Sequence, residues 1–178
     1  MRVIGGEFRS RRLKSLRGLE TRPTPDRLRE SLFDVLAPSI QGCVFLDAYA
    51  GTGAVGIEAL SRGARRAIFI EKHPAAVAVI RENLAALGLE PRSEVYTSKA
   101  APVLERISAG IVFMDPPYER EGEYDSALAI LGSGESGLVI VQHSSRIALK
   151  AEYGRLHRYR ELKQGDNVLS FYQRAASS

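Results

Sequence analysis

The 178-residue chain has one cysteine, Cys43, and three histidines, His73, His143 and His157. A lone cysteine cannot close an internal disulfide, and these scattered histidines give no zinc-ligand spacing. A disulfide-stapled secreted scaffold and a zinc module are both excluded. No apolar run approaches the ~20 residues of a membrane span. Met1-Arg2-Val3-Ile4-Gly5-Gly6 lacks the apolar stretch of a secretion signal, so a cytoplasmic protein with no membrane partner is expected. There is no internal repeat, low-complexity tract or interdomain linker, and a single domain over 1–178 is expected. A chain of this length buries roughly two-thirds of its unfolded surface around one core. With no obvious exposed apolar seam, a monomer is the default.

Charge is present, and its distribution says more than the net +4. In residues 1–17, Arg2, Arg9, Arg11, Arg12, Lys14 and Arg17 are opposed by Glu7 alone. A second basic run, Lys150, Arg155, Arg158, Arg160 and Lys163, lies near the C-terminus. Clusters of this kind beside a nearly neutral body point to a polyanionic partner, nucleic acid first, with a merely solvated surface as the alternative. The basic arm, residues 1–20, reads as a short hairpin turning at Gly5-Gly6 or just after.

The body alternates apolar runs with helical spacing. Val44-Phe45-Leu46-Asp47, Ala67-Ile68-Phe69-Ile70-Glu71, Glu94-Val95-Tyr96-Thr97, Ile111-Val112-Phe113-Met114-Asp115 and Leu138-Val139-Ile140-Val141-Gln142 read as buried strands. Helical patterns near 54–62, 74–88, 100–108 and 122–132 separate them. This is the rhythm of βαβ units, hence a parallel sheet with helices on both faces. Residues 153–162 and 168–174, joined by Gln164-Gly165-Asp166-Asn167, add a closing antiparallel hairpin. Upstream, Thr24 reads as the N-cap and Pro25 as the first residue of a helix that stops near Leu36, before Pro38.

The first strand runs into Ala48-Tyr49-Ala50-Gly51-Thr52-Gly53-Ala54-Val55-Gly56, and Glu71 ends the next strand. Gly51, Gly53 and Gly56 satisfy the G-x-G-x-x-G spacing, and the acid twenty residues on suits a ribose. Asp47 is what tilts the choice of ligand. A carboxylate at the strand tip would be repelled by the pyrophosphate of NAD(P) or FAD, and attracted by the ammonium and sulfonium of S-adenosylmethionine. A plain structural turn is the third reading of the same loop.

The fourth strand ends in Asp115-Pro116-Pro117-Tyr118. Two prolines stiffen the backbone and leave the Pro116 carbonyl free to accept a hydrogen bond. A carboxylate, that carbonyl and an aromatic ring suit a planar base bearing an exocyclic amine. Asp115 and Pro116 would take the two N–H groups while Tyr118 stacks, freeing the nitrogen lone pair by positioning alone.

Taken together these residues resemble the class I methyltransferases, and more closely the bacterial 16S rRNA guanine-N2 methyltransferases of the RsmD type. The likeness covers nearly the whole chain: Arg2-Val3-Ile4-Gly5-Gly6, Arg22-Pro23-Thr24-Pro25-Asp26-Arg27, Glu30-Ser31-Leu32-Phe33, the glycine loop, Ile70-Glu71, Asp115-Pro116-Pro117-Tyr118 and the last strand. It implies an α/β, Rossmann-like fold with a seven-stranded, mostly parallel sheet of order 3-2-1-4-5-7-6. S-adenosyl-L-methionine is the implied donor, and a flipped guanine of 16S rRNA, in a small ribosomal subunit or assembly intermediate, the acceptor. The resemblance assigns cofactor contacts to Asp47, Gly51, Thr52, Gly53, Glu71, Lys72 and Ala100. It assigns RNA contacts to Arg2, Arg9, Arg11, Arg12, Lys14, Arg22 and Arg27, and catalysis to Asp115, Pro116 and Tyr118, without a metal. One departure stands out: family members often carry Asp or Asn after the third strand to meet the adenine amine, whereas this chain has Ser98-Lys99-Ala100. Lysine cannot accept a hydrogen bond, so Ser98 or the backbone would take that contact. The rivals are a DNA adenine-N6 methyltransferase, which shares the tetrapeptide, and a non-catalytic RNA-binding assembly factor of the same fold.

Overall fold

The computed structural model describes residues 1–16, 24–117 and 121–175. Its centre is a mixed sheet of eight strands: β1 Val44–Ala48, β2 Arg66–Glu71, β3 Ser93–Thr97, β4 Ile111–Met114, β5 Leu138–Ser144, β6 Glu152–Tyr153, β7 Leu156–Gln164 and β8 Asn167–Arg174. The order is β3-β2-β1-β4-β5-β8-β7-β6. The first five strands run parallel and the last three pair antiparallel. The expected order therefore holds for seven strands, and a short eighth is added at the edge. The stretch 153–162 breaks because Gly154 turns the chain at φ 58°. There the backbone is pressed against Gly132, where a Cβ would lie 2.1 Å from the Tyr153 carbonyl oxygen.

On one face lie α1 Asp26–Ile40, α2 Ala54–Ser61 and α3 Pro74–Ala86; on the other lie α4 Ala100–Leu104 and α5 Glu121–Ser133. Strand residues alternate between these layers. Phe45, Phe69, Phe113, Ile140 and Leu169 pack under the first set, and Leu46, Ile70, Val112, Met114, Val139 and Val141 under the second. Asp47, level with Phe69 and Phe113, and Glu71, Asp115 and Gln142 each lie two positions after a residue packed under α1 (Phe45, Phe69, Phe113 and Ile140), so all four emerge on the α1 face toward the C-terminal edge of the sheet.

Two expectations for α1 need correction. Pro25, not Thr24, occupies the N-cap, because the Thr24 hydroxyl is spent on Gln142. Nor does the helix stop before Pro38; it continues to Ile40, whose side chain is buried against the same core as Leu28, Leu32, Phe33 and Leu36. Burial of that last apolar residue, worth about 2 kcal/mol, offsets part of the backbone bond that Pro38 cannot make.

The arm does form a hairpin. Arg2 bridges Arg12, and Val3 donates its N–H to Arg11 and accepts from Ser10. It is strapped to α2: the Ile4 and Gly5 amides donate to the two oxygens of Glu58, each at 2.9 Å. Gly6 lies so close to Ser61 that a Cβ there would sit 2.0 Å from its carbonyl oxygen.

Candidate active site

The turn from β1 into α2 is built for close approach to a ligand. Gly51 and Gly53 take left-handed φ values of 60° and 86°, and Tyr49 joins them at 61°. A Cβ on Gly51 would point into open space, so the backbone there is open to close approach. A Cβ on Gly56 would lie 2.4 Å from the Phe69 ring, so this third glycine is what lets α2 press onto β2.

Two carboxylates hold the loop. Asp47, 2% exposed, accepts the Gly56 amide through Oδ2 at 2.9 Å. Glu71 accepts the Gly51 amide through Oε1 and the His73 amide through Oε2, each at 2.9 Å. Desolvation pushes the Asp47 carboxyl well above its ordinary range; the Gly56 amide works against this, while the nearby Asp115 and Glu71 charges reinforce it. A buried carboxylate crowded by two others is a strong attractor for a cation. Thr52 is buried in the loop, and its carbonyl accepts the Asn83 amide nitrogen at 3.1 Å. Lys72 follows Glu71 half-buried. After β3, Ser98 donates its amide to the Glu71 carbonyl and its hydroxyl to the Lys99 carbonyl, Lys99 is exposed, and Ala100 begins α4 buried.

Asp115 follows the end of β4 near Asp47, only partly buried and with no hydrogen-bond partner among the described residues. Desolvation raises its carboxyl to about 7. The Pro116 carbonyl is not free, contrary to expectation: the Tyr124 hydroxyl on α5 donates to it at 3.3 Å. A carbonyl oxygen has two lone pairs, so one remains for a substrate N–H. Tyr118 and Arg22 lie outside the described residues. Tyr49 packs against the α5-side core, its hydroxyl raised first by desolvation and then by Glu123.

Around the crevice, Arg2, Arg9, Arg12 and Arg27 are exposed without an ion pair among the described residues. Arg11 reaches the Ala86 carbonyl, and Lys14 pairs with Glu82 at 2.7 Å.

Four polar residues escaped the sequence analysis. Asn83 accepts the Lys14 amide and donates to the Lys14 and Thr52 carbonyls, tying the arm to the glycine loop. Arg29 and Glu58 are both fully buried, between α1 and α2. Gln142 is buried within β5, two residues before its end. Their only sequence signal is a polar side chain set within an apolar pattern. A separate concavity of ≈ 370 Å³, lined by Cys43, Gly110, Ile111 and Leu138 among others, lies at the opposite edge of the sheet, away from these carboxylates. Burial raises the Cys43 thiol to about 11, which makes it inert there.

A doubly wound sheet with a glycine turn after β1, acids at the tips of β1 and β2, and Asp115-Pro116-Pro117 after β4 defines the α/β methyltransferase class. Within that class the chain belongs to the family described as conserved hypothetical protein 95, whose model matches residues 1–173. It is 35% identical over 182 residues to ribosomal RNA small subunit methyltransferase D of Escherichia coli strain K12, covering 99% of this chain and 91% of that one. The solved structure of Escherichia coli yhhF superposes with a TM-score of 0.88 at 36% identity, covering 99% of both chains. An RNA methyltransferase of Salinibacter ruber, solved with S-adenosyl-L-homocysteine, shares the fold at TM-score 0.66 and 16% identity, over 88% of this chain and 95% of that one.

Proposed function

We propose that this chain is an rRNA methyltransferase that uses S-adenosylmethionine to methylate the exocyclic N2 amine of a guanine in 16S rRNA. The observation that carries the reading is Asp115: a desolvated carboxylate without a hydrogen-bond partner among the described residues, beside a buried acid that favours a cation. The open backbone at Gly51 and the carboxylate of Asp47 fit the cofactor. When bound, it supplies an electrophilic methyl group on a positively charged sulfur. Gly51, Thr52 and Gly53 present backbone to it, Glu71 offers its remaining lone pairs to the ribose hydroxyls, and Lys72 and Ala100 flank the adenosine side.

On the acceptor side, Asp115 takes one N2 hydrogen and the Pro116 carbonyl the other, while Tyr118 stacks on the base. Both hydrogens are thus drawn out of line with the donor, and the nitrogen lone pair is released from conjugation. The nitrogen that gains the methyl must lose one proton, and Asp115, raised to about 7, is matched to receive it near neutral pH. Tyr124 fixes the Pro116 carbonyl from behind. Arg2, Arg9, Arg11, Arg12, Lys14, Arg22 and Arg27 supply cationic charge for the RNA backbone. Transfer of label from S-adenosylmethionine to unmethylated small subunits and to naked rRNA, followed by nucleoside mass spectrometry, tests the reading. N2-methylguanosine supports it; cofactor binding with label in another nucleoside, in DNA only, or nowhere rejects it.

A further inference from the structure

The best-placed group that the mechanism does not use is Gln142. Met114 pairs with Val141 in register, so Asp115 and Gln142 follow as neighbours on parallel strands, about 4.8 Å apart. Both face α1: Phe113, two residues before Asp115, and Leu169, the cross-strand partner of Gln142, lie in the core on that side. Gln142 is 2% exposed. Its Oε1 accepts the Thr24 hydroxyl at 3.0 Å, a bond that joins the entry of α1 to β5. Its Nε2 has no hydrogen-bond partner among the described residues. Among the described residues only Arg29 has sealed polar side-chain atoms without a partner, so the Gln142 Nε2 keeps a path to solvent and its donors are open to an incoming group. Level with each other on adjacent strands, Asp115 and Gln142 therefore present a carboxylate acceptor and an amide donor that nothing among the described residues engages.

Enzymes that act on a flipped base read it by hydrogen bonds to its Watson–Crick edge. In guanine that edge sets the N2 amine, a donor, across from O6, an acceptor, over a span comparable to the strand spacing. We propose that Gln142 is a specificity residue whose Nε2 donates to the O6 of the guanine held by Asp115, with Thr24 fixing the orientation of the amide. Adenine has no amine at C2 and an amine at C6, so it fails at both positions. This inference rests on the guanine-N2 reading above and adds how the base is distinguished.

The test uses an RNA substrate with either guanosine or 2,6-diaminopurine riboside at the methylated position. Both carry the N2 amine, but the second replaces O6 by an amine. The wild-type chain is expected to prefer guanosine by roughly tenfold or more in kcat/KM, since a site built to donate leaves its donor unpaired against the analogue. Gln142→Glu keeps an oxygen for Thr24 but turns the donor into an acceptor. The preference should fall to within about threefold or invert. Thr24→Val should lose much of the preference and Thr24→Ser should keep it, with cofactor affinity measured by calorimetry serving as the check that each variant is folded. Variants that bind cofactor, methylate guanosine and keep the wild-type preference would overturn the inference alone. No N2 transfer to guanosine RNA by the wild-type chain would overturn the reading beneath it.

Discussion

Asp47 Oδ2 lies 2.9 Å from the amide of Gly56, so the carboxylate that faces the crevice also ties the glycine turn to the first turn of α2. One side chain thereby shapes the loop and sets its charge. Asp47→Asn keeps an acceptor for Gly56 and loses only the charge; Asp47→Ala loses both. Hydrogen bonds to charged groups contribute about 1.5–3 kcal/mol, so Asp47→Ala should weaken S-adenosylmethionine binding roughly ten- to a hundredfold. Asp47→Asn should fall between it and wild type. Titration calorimetry measures both, and an unchanged Kd in Asp47→Ala would remove this residue from the cofactor site.

The raised Asp115 carboxyl has two consequences with opposite signs. Only the ionised form can accept the amine hydrogens, so kcat/KM should rise with pH through a midpoint near the free protein's value of about 7. Asp115→Asn should flatten that rise. For stability, desolvation penalises the charged form in the folded state. The penalty is absent below the unfolded carboxyl's range near pH 4, grows as the group ionises and is complete above pH 7. Asp115→Asn should therefore leave the Tm unchanged at low pH. Above neutrality it should raise the Tm by a few degrees, on the order of 1–2 kcal/mol given partial solvent access. Melting curves at pH 4.5 and 8 test this, and a variant less stable at pH 8 contradicts it.

Arg29 and Glu58 form a buried pair whose nitrogen and oxygen are 3.6 Å apart. Glu58 also accepts Ile4, Gly5 and Arg62, while Arg29 donates to the Arg2 carbonyl and leaves Nε and Nη1 without hydrogen bonds. Glu58→Ala leaves Arg29 with only the exposed Asp26, 3.2 Å away, as a counter-charge, so it should cost about 3 kcal/mol. That corresponds to a fall in Tm of roughly 10 °C for a chain of this size. It should also speed hydrogen exchange at the Ile4 and Gly5 amides. A paired apolar replacement, Arg29→Met with Glu58→Leu, should recover much of the Tm but not the protection of those amides.

On the proposed reading, the exposed cations of the arm, which have no ion pair among the described residues, contact phosphates without base selectivity. Changing Arg2, Arg9 or Arg12 singly to Ala should lower the slope of log affinity for rRNA against log salt by about one each. Lys14, already paired with Glu82, should give a smaller change. Slopes equal to wild type in all variants would separate the arm from RNA binding.

How much of this was legible depends on whether a feature is local. Five apolar runs mark β1 to β5, and a glycine turn flanked by Asp47 and Glu71 marks the candidate cofactor loop, because strand, turn and helix there are consecutive in the chain. The site acids share one face because strand alternation is a period of two, which spacing alone reveals. What spacing does not carry is contact between distant segments. Thr24 meets Gln142 across 118 positions and Lys14 meets Asn83 across 69. Each looks like an ordinary polar residue until the fold closes. Pro38, which the sequence places beyond the end of α1, and the two-residue β6 depart from expectation for the same reason: burial of Ile40 and the contact of Gly132 with Tyr153 decide them, not local propensity.

The most direct measurement is a paired one on Asp115→Ala: methyl transfer to unmethylated small ribosomal subunits, and cofactor Kd on the same preparation. The expected result is loss of transfer by at least about a thousandfold, or roughly 4 kcal/mol of transition-state stabilisation, with cofactor affinity held within a few-fold of wild type. Transfer at near the wild-type rate with Asp115 gone would contradict the assignment of this carboxylate to the acceptor amine, and with it the proposed chemistry of the site.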